Sequence, residues 1–161
     1  LTPAENVTID NNYIRTFNGY CQAIFVFADS VFKANTGVAG CHKNFVIRGN
    51  YVETAHGHGI AIGGIRYALV EGNLLRPYQL SPGEQLWRPY STAAISIMGN
   101  INTGTVNNNV MPSTFLLLNG ATLPQAALRT TGNTISATAE PAGWTMPRTG
   151  PYAYETVVRA E

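Results

Sequence analysis

Asn44-Phe45-Val46-Ile47-Arg48-Gly49-Asn50-Tyr51-Val52 carries a pattern that returns along most of the chain. Its frame is apolar-x-apolar-x-x-Asn-x-apolar, with Phe45, Ile47, Asn50 and Val52 in the fixed places. The same frame reads Val7, Ile9, Asn12, Ile14, and again Ala68, Val70, Asn73, Leu75. Looser copies are Gly104, Val106, Asn109, Met111 and Leu128, Thr130, Asn133, Ile135. The residue before each frame asparagine is Gly or Asn: Asn11, Gly49, Gly72, Asn108 and Gly132. Apolar residues at period two make a short strand with one face inward. Gly or Asn then bends the chain, because both tolerate positive φ. Each copy is thus a strand, a bend and a second short strand.

A further apolar run follows each copy but the last. These runs are Ala23-Ile24-Phe25-Val26-Phe27, Gly59-Ile60-Ala61-Ile62, Ala94-Ile95-Ser96-Ile97 and Phe115-Leu116-Leu117-Leu118. Most apolar clusters are short, β-branched or aromatic, and fenced by Gly and Asn, which argues against helices. The frame asparagines are separated by 38, 23, 36 and 24 residues, counting from 12 to 50, 73, 109 and 133. The short separations read as a bare repeat. The long ones read as a repeat with about a dozen extra residues, a loop length at which function concentrates. One such insert spans roughly residues 28–41 and the other roughly 76–91. An antiparallel sandwich also has short strands and turns. An asparagine at the same place in every copy favours stacking instead, since equivalent residues one ladder spacing apart can bond amide to amide.

Composition narrows the function classes. The 161 residues suffice for one domain with a core. Charged residues make up 12% of the chain and the net charge is +1, so no basic stripe for nucleic acid is expected. No apolar run reaches the roughly 18 residues that span a bilayer. No secretory leader is visible either. Cys21 and Cys41 flank the first insert; they would need Cα atoms within about 7 Å to form a bridge, and separate buried thiols are the alternative.

The copies "NFVIRGNYV…GIAIGG" and "YALVEGNLL…AISIMGN" resemble the right-handed parallel β-helix repeat of the pectate-lyase-like superfamily. The resemblance covers about residues 6–136. It implies an all-β solenoid of about five coils over residues 1–136, with the two inserts and an irregular tail at 137–161. It also implies a carbohydrate partner, through polysaccharide lyases, uronan epimerases, glycoside hydrolases or phage tailspikes. Fold alone does not choose among them.

Candidate chemistry lies in the connections that leave the frame bend in successive copies. Arg15, Phe17, Asn18 and Tyr20 come from the first, Glu53, His56 and His58 from the second, and Arg76, Tyr78, Glu84, Trp87, Arg88 and Tyr90 from the third. Stacked in register, these form one lateral surface. Tyr20, Tyr78, Trp87, Arg88 and Tyr90 are the expected sugar contacts, because aromatic faces and directed donors suit a sugar chain. The aromatic residues of the insert have packing against the coil or a neighbouring chain as their alternative role.

Glu53, His56 and His58, with Arg76 as the nearest cation, are the candidate catalytic set of a lyase: a base beside a carboxylate, and a positive group for the developing charge. A metal site and a plain polar turn are the competing readings of the His-x-His pair. No calcium cluster or paired aspartates accompany it, so no metal and no cofactor are expected. The expectation is a carbohydrate-binding module of a spike or tail-fibre protein, at a virion surface or otherwise extracellular. A lyase or epimerase fragment is the alternative, and a purely structural connector a third reading. The repeat begins within six residues of Leu1. The expectation is then a domain cut from a longer chain, or a subunit whose open ends are covered by a trimer or neighbouring subunits.

Overall fold

The computed structural model describes residues 4–16, 22–27, 42–55, 58–78, 94–97, 101–112, 116–117, 128–136 and 138–140. Every regular element among them is a strand: β1 (Glu5–Asp10), β2 (Tyr13–Thr16), β3 (Ile24–Phe27), β4 (Lys43–Arg48), β5 (Tyr51–Thr54), β6 (His58–Gly63), β7 (Ile65–Glu71), β8 (Leu74–Pro77), β9 (Ala94–Ile97), β10 (Ile101–Asn107), β11 (Val110–Met111), β12 (Leu116–Leu117), β13 (Leu128–Thr131) and β14 (Thr134–Ile135). They form three sheets, ordered β1-β4-β7-β10-β13, β2-β5-β8-β11-β14 and β3-β6-β9-β12. Every pairing is parallel. The chain visits the first, second and third sheet in turn, then returns to the first, so each of the first four circuits lays one strand on each sheet and the fifth adds β13 and β14.

Register follows the repeated frame. Val7, Phe45, Ala68, Gly104 and Leu128 form one column across the first sheet. Ile14, Val52 and Leu75 form another in the second sheet, while Met111 pairs with Ile135. One face of each strand is apolar and turned inward. Phe45, Ile47, Val52, Ile60, Ile62, Val70, Leu75, Ile95, Ile97, Val106 and Met111 meet in a single buried cluster. The insert at 28–41, residues 79–91 of the other insert and most of the tail lie outside the described residues, as do Cys21 and Cys41.

The bend between the first and second sheets is the same in all five circuits. Asn11, Gly49, Gly72, Asn108 and Gly132 have φ of 53°, 60°, 60°, 54° and 65°. This is the left-handed region that Gly and Asn enter at least cost. The next residue is always the frame asparagine, and its amide spans two junctions. Asn50 Oδ1 accepts from the backbone N–H and the Nδ2 of Asn12, at 2.9 and 3.0 Å. Asn73 Oδ1 does the same for Asn50, Asn109 Oδ1 for Asn73, and Asn133 Oδ1 for Asn109. Each Nδ2 also reaches back one circuit: Asn50 to Ile9 O, Asn73 to Ile47 O, Asn109 to Val70 O and Asn133 to Val106 O.

Asn50, Asn73 and Asn109 are therefore fully buried with both amide hydrogens donated and the oxygen accepting twice. That full satisfaction is what lets a polar column sit inside the fold. Outside, side chains also pair across circuits. Arg48 donates to Asp10 Oδ2 from Nε and Nη2 at 3.0 and 2.9 Å, which raises its pKa, and Asn107 Nδ2 donates to Glu71 at 3.0 Å.

Candidate functional site

The second sheet positions the candidate site. Its strands start directly after the asparagine bend, so their side chains inherit the register the ladder sets. Val52 and Leu75 point into the core cluster. By alternation, Tyr51 and Glu53 on β5, and Leu74 and Arg76 on β8, point outward. Tyr13 pairs with Tyr51 in register, and Arg15 pairs with Glu53, which pairs in turn with Arg76.

Glu53 is the centre of this face. It points outward yet is only 5% exposed. One carboxylate oxygen lies 3.4 Å from Arg15 Nε, and the other accepts from the Tyr13 hydroxyl at 3.4 Å. The Arg15 guanidinium also lies over the Tyr78 ring, 4.3 Å from its centroid. That distance allows a cation–π contact. Tyr13 and Tyr51 stack with centroids 5.2 Å apart and planes 7° from parallel. Burial is the first cause that pushes both phenols above their ordinary pKa, and the Glu53 charge is the second. Both hydroxyls thus keep their protons at neutral pH and remain donors.

Arg76 faces elsewhere. Its Nη1 donates to Leu75 O at 3.4 Å and to Ser136 O at 3.2 Å, and its Nη2 donates to Ala139 O. It therefore holds the chain that follows β14 against the second sheet, two circuits back. His58 opens β6 in the third sheet, paired in register with Ala94. Of the residues expected to carry chemistry, the structure brings together Glu53, Arg76 and Tyr78, with Arg15. Tyr20, His56, Trp87, Arg88 and Tyr90 lie outside the described residues. Tyr13 and Tyr51 join the site without having been singled out. Their signal was positional: each follows its frame asparagine by one residue, so stacked circuits put one ring on the other.

Among the described residues, no three His, Cys, Asp or Glu side chains converge as a metal site would require, and no helix is long and apolar enough to cross a membrane. The outward face is polar and aromatic at once. It presents a fixed carboxylate, a guanidinium and phenolic groups beside flat rings. No protein-family model matches the chain, and comparison with curated proteins and with solved structures gives no match either.

Proposed function

We propose that this chain is a right-handed parallel β-helix of the pectate-lyase-like kind, serving as a carbohydrate-binding module of a spike or tail-fibre protein outside the cell or on a virion. The observation that carries the reading is the outward column Arg15–Glu53 with the Tyr13–Tyr51 stack beside it and Tyr78 under the guanidinium. A sugar offers C–H faces for aromatic rings and hydroxyls for donors and acceptors held in fixed directions. Neighbouring circuits place such groups one ladder spacing apart, along a line an extended polysaccharide could follow.

Binding suits this geometry better than turnover. Glu53 is already engaged by Arg15 and Tyr13, and Arg76 is engaged by backbone carbonyls of the tail. A lyase would need a free base next to the uronate carboxylate and a cation aimed at the developing charge. Trp87, Arg88, Tyr90 and Tyr20 extend the binding surface in this proposal, and trimerisation gives it avidity.

A glycan array probed with the intact chain tests the reading, together with incubation on alginate and pectate while unsaturated ends are followed. Binding that weakens about tenfold in Tyr13→Ala or Trp87→Ala, which is about 1.4 kcal/mol, is the expected result. No glycan bound by the folded chain refutes it. Steady unsaturated product, lost when His56 and His58 are both changed to Ala, replaces it with the lyase reading.

A further inference from the structure

The asparagine ladder has a direction, and its two ends differ. At every internal junction, the earlier circuit gives its asparagine N–H and Nδ2 to the later circuit's Oδ1. In return, the later circuit gives the N–H after its asparagine to the earlier asparagine's carbonyl: Tyr51 to Asn12, Leu74 to Asn50, Val110 to Asn73 and Thr134 to Asn109. The N–H before the earlier asparagine also donates forward, from Asn11 to Arg48 O, Gly49 to Glu71 O, Gly72 to Asn107 O and Asn108 to Thr131 O.

The first circuit keeps its half of this set unused. Asn12 Oδ1 accepts from no described donor, and the Tyr13 N–H has no described acceptor. The Asn12 Nδ2, which in every later circuit reaches a carbonyl of the circuit before, turns to its own Asp10 O instead. The last circuit keeps the other half unused. The N–H of Asn133 has no described acceptor, and among the described residues its Nδ2 bonds Val106 O alone. The carbonyl of Asn133 and the N–H of Gly132 stand in the same position. Among the described residues that follow, Ser136 and Ala139 are held by Arg76 along the second sheet.

The two unused halves complement each other, donor for acceptor. The side chains agree as well. Ile135, 49% exposed, ends the inward column that Ile14 begins, so Ile135 set on Ile14 would continue it. Gly132 would come to lie over Asn11. Within the chain that is the order Gly72 then Asn108, a glycine followed by an asparagine at the left-handed position. At the bend and across the first two sheets, stacking a second copy on the first thus repeats a junction the chain already makes.

We infer that the two edges dock head to tail: the Asn133 edge of one copy continues the Asn12 edge of a second, with Asn133 N–H and Nδ2 donating to Asn12 Oδ1 and the Tyr13 N–H donating to the Asn133 carbonyl. Such a contact is heterologous and does not close on itself, so it builds a row of copies. It rests on the ladder and not on the sugar-binding proposal.

Site-directed cross-linking of the full chain reads the contact. In the joined rows Tyr13 stands opposite Thr134, as Tyr13 stands opposite Tyr51 and Val110 opposite Thr134 within the chain. Adjacent strands place such Cα atoms within disulfide reach. Two proteins are made with Cys21 and Cys41 changed to Ser, one carrying Tyr13→Cys and the other Thr134→Cys. The expected result is a mixed disulfide when the two are combined, and little cross-link in either alone. Sedimentation of the unaltered chain, which needs no variant to fold, should show mass that keeps rising with concentration and does not level off at a dimer or a trimer. Cross-links of Tyr13→Cys to itself, or an unaltered chain that stays monomeric at high concentration, overturn the inference.

Discussion

Two columns of side chains rise side by side, one at the bend before the second sheet and one on that sheet three residues later, and they are built on opposite principles. The asparagine column repeats one residue, buries its three inner members and satisfies their amides with neighbours in the column and nearby carbonyls. The column of Arg15, Glu53 and Arg76 changes residue at every step and seeks partners beyond itself: Tyr13, Tyr78, Ser136 and Ala139. Sameness suits the first, because an amide is both donor and acceptor and can bond to a copy of itself. Sameness would ruin the second, since like charges one ladder spacing apart repel. A repeated column builds the fold; a broken column reaches out to a different partner at each step.

Cutting the repeated column should cost most. Asn73→Ala strands the N–H and Nδ2 of Asn50, the carbonyl of Ile47 and one acceptor bond of Asn109, all buried. Each orphaned buried group costs about 1–3 kcal/mol, and relaxation recovers part, so a loss of about 3 kcal/mol is expected. Asn12→Ala, at the open end, should cost about 1 kcal/mol by the same logic. Urea midpoints at constant m-value measure both. Equal costs for the two would show that the ladder is not what holds the bend.

The broken column should be cheaper to cut. Glu53→Ala leaves the Tyr13 hydroxyl and Arg15 without their shared acceptor. Arg15 is 38% exposed, so water replaces much of what it loses, and Tyr78 still lies under it. A loss of about 2 kcal/mol is expected, below the 3–5 kcal/mol of a fully buried broken pair. On the glycan-binding proposal, affinity should fall by a larger factor than the folding equilibrium does. A Glu53→Ala chain that unfolds more readily than Asn73→Ala would reverse the comparison.

How legible each column was in the sequence follows from the same contrast. The bend and the asparagine stack could be read from five copies, because each circuit must satisfy the same local geometry with the same two residue types. The strand registers then followed from the frame without further information. Glu53, Arg76 and Tyr78 could be placed on one face for that reason. What could not be read was which way Arg76 turns: its partners are backbone carbonyls of residues 75, 136 and 139, and a carbonyl leaves no mark on the sequence. The Tyr13–Tyr51 stack was readable in principle, but only once the register was accepted and the residue after the asparagine compared across copies. In copies three to five that position holds Leu74, Val110 and Thr134, so the repeat itself hides the pair.

The left-handed position beside the ladder sharpens the comparison at smaller energies. A Cβ added to Gly72 would meet nothing within 4 Å, whereas one on Gly132 would lie 2.3 Å from Asn108 Oδ1. Gly72→Ala should therefore cost only the left-handed strain of a Cβ, about 1 kcal/mol. Gly132→Ala should cost that and a displaced Asn108 side chain. In an Asn108→Gly background the extra cost should disappear, a coupling of about 1 kcal/mol in a double-mutant cycle. Additive costs would mean that Asn108 swings aside freely and that neighbouring circuits do not constrain each other here.

The smallest effect expected is a pH dependence confined to the broken column. The phenols of Tyr13 and Tyr51 are raised above their ordinary value of 10.0, first by burial and then by the Glu53 charge. A raised acid holds its proton more tightly in the folded state than in the unfolded one. Below about pH 10 both states are protonated and the contribution to stability is complete. Above it the unfolded chain releases protons first, so stability falls as pH rises through the folded values. The asparagines have no proton to lose, so the ladder contributes nothing to this slope. Urea midpoints from about pH 9 to about pH 11 should decline in the native sequence and decline less in Tyr13→Phe and Tyr51→Phe, with tyrosinate absorbance following the same order. Glu53→Gln should flatten the slope as well, because it removes the second cause while leaving the first. A slope untouched by all three substitutions would place the alkaline sensitivity elsewhere in the chain, and the outward face would lose its claim to be an electrostatically coupled unit.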